Sequence, residues 1–398
     1  MANILGVNTG QKDWPTAAAD ISAFFQDGRS HYLVTPNPEI ILRAQNDEEL
    51  FYILNQADLS VADGFGLKLA ASLSGQKLYR ITGADLAPYL LREAEENKRR
   101  VLLIAWDKGL SSPADLAVFL KNYPHLSSLI ISSPRQAAPS RTEIEDIRNF
   151  RPELVLCLLG SPEQEKYIFY LYQHLDCLPL AAGLGGAFDF LTGKLKRAPK
   201  LWRRLGLEWC WRLIQQPWRW QRIWRATAVF MSKVLFWLVI MPYRYRPNVA
   251  VLMYKKTEKG REIFIVERQD QQEHWQLPQG GTDGLDIVSA GKKELEEESG
   301  AKNFKVIASY KNLYRYTFDK ETGKYKNQQN NRHFGYKGQR QSLLIVEFTG
   351  TEAELRINYW DHNAWRWIGE ADFLNNLHQC RREAGKIYLE KLKSQDKT

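Results

Sequence analysis

Residues 154–186 read LVLCLLGSPEQEKYIFYLYQHLDCLPLAAGLGG, and this stretch indicates the architecture of the first half of the chain. A continuous apolar run at 154–159 is followed by a helical pattern and then by a second apolar run at 178–184. Short apolar strands separated by a helix are typical of parallel sheets that are covered by helices on both faces. The stretch therefore predicts a strand–helix–strand unit of a parallel sheet.

The same alternation is found on the N-terminal side of this stretch. In each case an apolar run precedes a helical pattern: 31–35 before 38–57, 100–106 before 112–123, and 128–133 before 142–150. Alternating strands and helices predict an α/β domain with a Rossmann-like parallel sheet. Ligands of such sheets bind at the carboxyl ends of the strands, which is where the polar turns at Thr35, Asp63 and Gly160 lie.

Length and composition limit the class of protein. The 398 residues predict two domains of about 100–200 residues each, and 44% hydrophobic with 25% charged content excludes a disordered or fibrous chain. The first residues lack a basic segment followed by a long apolar run, so we expect a cytoplasmic protein. Cys157, Cys177, Cys210 and Cys380 lack the spacing of a disulfide framework or metal site, and we expect them to be reduced and buried.

Positive charge is concentrated between Arg197 and Arg246. This window holds eleven Lys or Arg against one acidic residue, Glu208, and seven of the thirteen Trp. Arg and Trp in front of an apolar run at 226–242 are typical of a helix that lies in the membrane interface, with indole rings at headgroup depth. A core helix, a linker between domains and a transmembrane span are the alternative interpretations of this run.

The pattern changes again after residue 243. Strand-like stretches at 248–256, 261–269, 342–350 and 364–371 accompany a charged helix at 287–299 and a helix near 377–393, with a polar loop predicted at 320–333. These features predict an α+β domain. We therefore expect an α/β domain at 1–199, a basic Trp-rich tail at 200–243 and an α+β domain at 244–398.

Six motifs of the first part follow one another in an order that is typical of one enzyme family. They are TPNPE (35–39), ADGFG (62–66), RITGADL (80–86), GSPEQE (160–165), GLGGAFDFLTGKLKRAP (183–199) and GLEWCWRLIQQPWRWQR (206–222). Together they resemble the WecG/TagA/CpsF glycosyltransferase family over residues 4–225. The resemblance implies inverting transfer of an N-acetylmannosamine-type sugar from a UDP donor to a polyprenyl-diphosphate-linked acceptor, at the inner face of the cell membrane.

The resemblance also assigns roles to residues. Asp63 is the candidate base for the acceptor hydroxyl, and Thr35 is a second catalytic candidate; an ordinary turn or cap residue is the alternative for each. No Asp-x-Asp pair for a metal–diphosphate clamp is present, so we expect no cofactor in this domain. Backbone N–H groups of 183–188 and Arg197 are then the candidates for the leaving UDP. The substrate-binding candidates are Asn37, Arg80, Thr82, Asp85, Gln164, Glu165, Gly185, Gly186, Asp189 and Arg197.

Three arginines of the tail complete this predicted site. We expect Arg212, Arg219 and Arg222 to reach the acceptor diphosphate while neighbouring Trp side chains lie in lipid, so that membrane docking completes the active site of a peripheral enzyme. We also expect a homo-oligomer. One departure from the family is Ala105-Trp106, where a glycine turn is usual, and it leaves the identity of the sugar open.

Residues 280–301 resemble the Nudix box, and Glu294, Glu297 and Glu298 match its Glu-x-x-Glu-Glu core. Spacings of three and four place these carboxylates on one helical face, where they repel one another unless a divalent cation neutralises them. A solvated acidic face is the alternative interpretation. Flanking motifs at 245–253, 274–281, 336–348 and 365–373 resemble those of RNA pyrophosphohydrolases and dinucleoside-tetraphosphate hydrolases.

This second resemblance implies Mg²⁺-dependent attack of water on a phosphoanhydride. It assigns metal binding to Glu294, Glu297, Glu298 and Glu354, with Glu297 and Glu298 also catalytic. The expected substrate is nucleoside diphosphate-linked, with a nucleoside polyphosphate or an RNA 5′ end as specific cases.

Two departures from the box leave other functions open. Leu285 stands where the pattern has a glutamate, and Lys293 replaces an arginine, which keeps the charge but loses the bidentate fork. The domain is therefore either a hydrolase or a nucleotide sensor that does not cleave its ligand. A third interpretation makes the basic tail a nucleic-acid-binding patch that serves an RNA-directed Nudix domain.

Overall fold

The computed structural model describes residues 2–10, 12–318 and 335–397. The predicted loop at 320–333 lies outside the described residues. The chain forms two compact units that divide between Leu238 and Val239, so most of the tail belongs to the first unit.

The first unit is built on a six-stranded sheet in which every pairing is parallel. The first unit contains eight strands among the described residues: β1 (Ala2–Ile4), β2 (Val7–Thr9), β3 (Tyr32–Val34), β4 (Leu59–Ser60), β5 (Arg100–Trp106), β6 (Ser127–Ser133), β7 (Leu154–Cys157) and β8 (Leu180–Gly183). β1 and β2 form a separate hairpin, and the other strands follow the order β4–β3–β8–β7–β5–β6. This confirms the Rossmann-like sheet that the sequence predicts.

Helices connect these strands. They are α1 (Trp14–Phe24), α2 (Pro38–Ala44), α3 (Glu48–Gln56), α4 (Phe65–Leu73), α5 (Gly83–Glu96), α6 (Pro113–Leu120), α7 (Arg141–Phe150), α8 (Glu163–His174) and α9 (Phe188–Leu191). Fully buried strand residues such as Leu103 and Leu156 pack in one apolar core with Leu90 of α5 and Leu116 of α6. This core fixes the strand ends, and with them the turns that carry the predicted site.

The tail forms helical segments of mixed type. They are α10 (Lys200–Arg204), α11 (Glu208–Gln215), α12 (Trp220–Trp224) and α13 (Phe230–Leu235), with 3-10 turns at Pro217–Arg219 and Met241–Tyr243 and π-helical turns at Arg225–Val229 and Phe236–Ile240. The helical stretch Pro217–Tyr243 has 27 residues and contains an 18-residue window with a mean hydropathy of 1.6, so it is long and apolar enough to cross a membrane by length and composition alone. Phe230 and Val234 are nevertheless fully buried, and the position of a Gly66 Cβ would lie 3.8 Å from the Phe230 ring.

The second unit is a mixed sheet with helices. Its elements are β9 (Tyr245–Thr257), β10 (Gly260–Arg268), β11 (Trp275–Gln276), β12 (Gln279–Gly281), α14 (Ile287–Ser299), β13 (Phe304–Thr317), β14 (Gly338–Phe348), β15 (His362–Gly369), α15 (Phe373–Asn376) and α16 (Arg382–Ser394). The strands follow the path β11–β10–β9–β14–β13, with β12 added to β9 and β15 added to β10. β9 and β14 are parallel, and the other pairs are antiparallel. The predicted α+β fold is confirmed.

The structure corrects the expectation that all cysteines are buried. All four are free, and Cys157 is buried in β7 as expected. Cys177 and Cys380 are exposed, because Cys177 lies in the connection between α8 and β8 and Cys380 lies in a 3-10 turn before α16. Cys210, in α11, is half-buried.

Candidate active sites

A cavity of about 930 Å³ opens at the carboxyl ends of the parallel strands of the first unit. One wall comes from the turns that follow the strands, and another comes from the tail between Leu205 and Met231. Twelve of the sequence-predicted site residues line it: Thr35, Asn37, Asp63, Arg80, Thr82, Gln164, Gly185, Gly186, Asp189, Arg212, Arg219 and Arg222.

Asp63 lies half-buried in this cavity, in the turn that follows β4. Its backbone N–H donates to the Pro36 carbonyl at 2.8 Å, and the next residue, Gly64, has φ +105, which only glycine adopts readily. Burial raises the pKa of Asp63 to about 6, although Arg212 and Arg80 act in the opposite direction. The result is a carboxyl group that is ionised at neutral pH yet a stronger base than an exposed aspartate.

Thr35 and Asn37 occupy the turn between β3 and α2. The Thr35 hydroxyl is buried and donates to the Gly183 carbonyl at 2.9 Å, which joins the ends of β3 and β8. The Asn37 side chain caps α2, where its oxygen accepts a hydrogen bond from the Ile40 N–H at 3.0 Å. Both residues therefore have a structural bond that fixes their position at the cavity.

Gln164 and Glu165 begin α8. The Gln164 amide oxygen accepts from the Gly160 N–H at 3.2 Å, and its nitrogen donates to Glu165 at 2.7 Å. Glu165 is only 2% exposed and is not among the residues that line the cavity. Glu165 therefore orients Gln164 instead of facing a ligand, which differs from the prediction that it binds substrate.

Arg197 and Asp85 are placed beside the cavity rather than in its lining. Arg197 pairs with Asp85 at 2.7 Å and donates to the Thr82 hydroxyl at 3.1 Å, while that hydroxyl donates to Asp85 at 2.6 Å. The three side chains form a closed set of polar contacts at the start of α5. The predicted role of Arg197 toward the leaving UDP would require this set to open.

The three tail arginines gather on one side of the cavity. Arg222 forms an ion pair with Glu39, and the Arg212 guanidinium lies 4.9 Å from the centre of the Phe190 ring. Burial lowers the pKa of Arg219 to about 10, and the charges of Arg222 and Arg212 add to that effect. Three cations held this closely repel one another, so an anion bound among them would be stabilised.

In the second unit, Glu294 is buried beside Arg246 of β9. Burial and the neighbouring Glu298 raise the pKa of Glu294 to about 8, while Arg246 opposes the rise. Burial lowers the pKa of Arg246 itself to about 10. A Cβ at Gly280 would lie within 1.8 Å of the Glu294 carboxylate, so only glycine fits at this position of β12.

The other two box glutamates have different partners. Glu298 is buried, accepts from the Gln279 N–H at 3.1 Å and lies 3.2 Å from the His362 Nε2. Glu297 is exposed and lies 3.7 Å from the Lys293 ammonium. Lys293 therefore retains the charge contact with a box carboxylate that the family assigns to arginine.

Glu354 is not brought together with these glutamates. Its carboxylate accepts hydrogen bonds from the Asn303 side chain at 2.9 Å and from the Thr351 N–H at 3.2 Å, as part of a capping box around a 3-10 turn at 352–354. These contacts direct the carboxylate to its own turn. The structure thus gives Glu354 a capping role where the resemblance implies metal binding.

Residues 2–242 match the family model described as "Glycosyl transferase WecG/TagA/CpsF family". The chain belongs to this family. Residues 244–388 match the NUDIX domain. This WecG/TagA/CpsF transferase therefore carries a Nudix hydrolase domain in the same chain. The prediction of an enzyme with a glycosyltransferase part and a Nudix hydrolase part is confirmed.

Curated relatives match the transferase part. One is the N-acetylglucosaminyldiphosphoundecaprenol N-acetyl-beta-D-mannosaminyltransferase of Bacillus subtilis (strain 168), 32% identical over 219 residues, with 52% of this chain and 84% of that protein covered. The protein of the same name from Staphylococcus aureus (strain MW2) is 29% identical over 237 residues, covering 58% and 91%.

Solved structures match the Nudix part more weakly. A C. elegans Ap4A hydrolase covers 37% of this chain and 96% of its own, with 15% identity and a TM-score of 0.29. A MutT NUDIX hydrolase from Burkholderia pseudomallei covers 37% and 97%, with 20% identity and a TM-score of 0.24. At these scores the likeness adds nothing to the family assignment.

Two residues that line the transferase cavity were not predicted as site residues, although one of them, Glu208, lies within the motif at 206–222. Arg135 follows β6, donates to the Leu159 carbonyl at 2.7 Å and lies 5.0 Å from the Trp106 ring centre, with both side chains lining the cavity. Glu208, also in the lining, pairs with Arg80 at 2.8 Å. The position of Arg135 directly after a predicted strand is the signal that could have identified it.

In the Nudix domain, the motifs missed Asp361 and His362 at the start of β15. Asp361 contributes to the raised pKa of both Glu297 and Glu298, and one of its carboxylate oxygens is buried without a hydrogen-bond partner among the described residues. The stretch NYWDHNAW (358–365) matches no box position, so no sequence signal pointed to these two residues.

Proposed function

We propose that the first unit transfers an N-acetylmannosamine-type sugar, with inversion, from a UDP donor to a polyprenyl-diphosphate-linked N-acetylglucosamine acceptor. The observation that carries this proposal is the placement of Asp63, with a pKa of about 6, in the same cavity as three tail arginines. The sugar and the acceptor are those named for the relatives from B. subtilis and S. aureus.

The chemistry divides between these groups. Asp63 accepts the proton of the acceptor hydroxyl as that oxygen attacks the anomeric carbon, and the bond to the UDP oxygen breaks on the opposite face. The leaving diphosphate takes the electron pair and is stabilised by N–H donors of the Gly185–Gly186 turn and by guanidinium groups. Arg212, Arg219 and Arg222 hold the diphosphate of the lipid-linked acceptor.

The acceptor site supports a direct test on Arg219. Arg219→Ala removes a half-buried charge from the cavity wall, so we expect the KM for the lipid-linked acceptor to rise about tenfold or more, since a hydrogen bond to a charged group contributes about 1.5–3 kcal/mol. Arg225→Ala, which removes an exposed arginine from the same helical stretch but not from the cavity lining, is the matched control. Equal KM values for the two variants would contradict the assignment.

We further propose that the enzyme is peripheral to the inner face of the cell membrane and docks through the tail. Trp218, Trp220 and Trp224 are 72%, 59% and 61% exposed, and Trp218 also lies in the cavity lining. Exposed indole rings beside arginines suit the headgroup layer of an anionic bilayer. This arrangement would bring the cavity to the level at which a polyprenyl diphosphate is presented.

Replacing all three of these tryptophans by alanine is expected to lower the fraction of protein that sediments with anionic vesicles at high salt. Salt screens the arginine contribution but not the burial of indole in lipid, so the salt-resistant part of binding should be lost. Trp14→Ala, at an indole that is 38% exposed on α1, serves as the control and should sediment like the wild type. Salt-resistant binding that survives the triple replacement would exclude docking through these rings.

For the second unit, we propose Mg²⁺-dependent hydrolysis of a nucleoside diphosphate-linked substrate. The residues fit a divalent cation, because Glu294, Glu297 and Glu298 share a helix with Asp361 nearby, and the unpartnered Asp361 oxygen is an available ligand. When bound, the metal would polarise the phosphoanhydride and activate water. Arg246, whose Nη2 is buried without a hydrogen-bond partner among the described residues, is suited to a phosphate oxygen.

One experiment tests both proposals together. Purified enzyme is incubated with a lipid-linked N-acetylglucosamine acceptor and a panel of UDP-sugars, and separately with nucleoside polyphosphates and capped RNA, each with Mg²⁺ or EDTA. We expect UDP-N-acetylmannosamine to be consumed in the first arm and Mg²⁺-dependent cleavage in the second. Binding without cleavage in the second arm would instead favour a nucleotide-sensing domain.

A further inference from the structure

A cluster of metal-ligating side chains lies in the second unit, apart from the box glutamates. His274, His378 and Cys380 each offer one ligand atom, and these three atoms all lie within 4.8 Å of one another. The Cys380 Sγ is 3.1 Å from the His378 Nδ1 and 4.0 Å from the His274 Nε2. More than a hundred residues separate His274 from Cys380, so the chain's fold and not its local sequence creates the cluster.

We propose that His274, His378 and Cys380 form a binding site for a thiophilic divalent cation of the Zn²⁺ class. A Zn²⁺ ion lies about 2.0–2.1 Å from an imidazole nitrogen and about 2.3 Å from a thiolate sulfur. The sum of these two bond lengths exceeds both nitrogen–sulfur distances in the cluster, so one ion can bind both atoms of each pair. Two imidazoles and one thiolate are a ligand set that zinc accepts, with the fourth position left to water.

The surroundings of His274 prepare its ring for coordination. The Gln271 amide oxygen, an acceptor, lies 2.9 Å from the His274 Nδ1, so Nδ1 carries the proton and Nε2 keeps its lone pair on the side of the thiol. The ring is buried, with the Arg268 and Arg381 side chains close by. Burial holds the ring in this orientation, with Nε2 4.0 Å from the Cys380 Sγ.

Two features of the cluster oppose the binding of a metal ion in the observed arrangement. The two imidazole rings are stacked, with centroids 4.0 Å apart and planes inclined by 9°, and a metal lies in the plane of each ring that binds it. The half-buried His378 ring must therefore rotate away from the stack. Arg268 and Arg381 also repel a cation, but Arg268 is paired with Asp270 at 2.6 Å, and the thiolate offsets one positive charge.

A bound ion would hold two segments together. His274 directly precedes β11, which leads into the Nudix box, whereas His378 and Cys380 lie in the turn before α16. One hydrogen bond already joins them, from the His378 N–H to the Trp275 carbonyl at 3.0 Å. The site would act as a cross-link between the start of the box and the C-terminal helix, independently of the proposed catalytic functions.

Cobalt provides the test, because Co²⁺ replaces Zn²⁺ and its thiolate complexes give a charge-transfer absorption that carboxylate complexes lack. Full-length protein, freed of metal by chelation, is titrated with Co²⁺. We expect a thiolate charge-transfer band that saturates at one equivalent and is abolished by added Zn²⁺. Ions held only by the box glutamates give no such band, so the two sites are distinguished.

Variants assign the band to its ligands. Cys380→Ser, at an exposed position, should keep the fold and lose the band, whereas Cys177→Ser, at the exposed cysteine of the first unit, should leave it unchanged. Gln271→Ala should weaken Co²⁺ binding by about 10- to 100-fold through loss of the bond that orients His274. The proposal is overturned if the wild type shows no band, if Cys380→Ser retains it, or if Cys177→Ser removes it.

Discussion

Asp63→Asn should lower the rate of sugar transfer by about 10²- to 10⁴-fold, the usual contribution of a general base. Asparagine has nearly the same shape and keeps an oxygen that can accept from the Gly83 N–H, but it cannot take the acceptor proton. The measurement is the rate of transfer at saturating donor and acceptor. Circular dichroism and Nudix hydrolysis should both match the wild type, because the substitution leaves the second unit untouched.

The pH dependence of the wild type provides an independent check on Asp63. Its folded pKa of about 6 is above the ordinary value, so the carboxylate is present above pH 6 and is lost as the pH falls through 6. The kcat/KM for transfer, which reports the pKa values of the free enzyme, should therefore decline on the acid side with a midpoint near pH 6. Asp146→Asn, at an exposed aspartate of α7, is the matched control and should keep both the rate and this midpoint. Full transfer by Asp63→Asn would require another base.

Glu297→Gln should have the second large effect, a loss of phosphoanhydride hydrolysis of about 10²- to 10⁴-fold with sugar transfer unchanged. Glu297 is exposed on the box helix, so the neutral replacement of equal size removes a carboxylate without disturbing a core. The side chain is 47% exposed, and its partial desolvation raises the pKa of this carboxyl group, while the nearby Lys293 partly opposes the rise. The measurement is Mg²⁺-dependent release of product from a nucleoside polyphosphate.

Glu296→Gln is the control for this variant. Glu296 is the preceding residue of the same helix, is also exposed and lies 3.5 Å from the Lys302 ammonium, away from the other box glutamates. It carries the same change of charge and should hydrolyse at the wild-type rate. Equal losses in both variants would point to a general charge effect. If Asp63→Asn and Glu297→Gln, both folded, each lost both activities, two independent sites could not be maintained.

The architecture was predictable where the apolar patterns were long. β5 and β7 lie within the predicted runs at 100–106 and 154–159, and α14 has the predicted bounds 287–299. β4, with two residues, was too short to leave a pattern. The helix predicted at 38–57 is two helices, because the Asp47 side chain caps a new helix by accepting from the Leu50 N–H at 2.9 Å.

The sequence was sufficient to predict which strand ends and which helical face carry the two sites. The turns after β3 and β4 bring Thr35 and Asp63 to one cavity, because parallel strands end at the same edge. Side-chain direction was not predictable from motif order: Arg197 turns to Asp85, and Glu354 caps its own turn. Asp361 and the cluster around Cys380 depend on contacts between distant segments, which spacing along the chain does not encode.

The tail wall of the cavity also determines what kind of small molecule could inhibit the transferase. Arginines and indole rings share one surface there, so a compound with an anionic head and an apolar body would match it better than a soluble nucleotide analogue alone. With the tail docked on the membrane as proposed, such an amphiphile would partition into the bilayer first and reach the enzyme laterally. Its potency should therefore scale with its concentration in lipid and not in water.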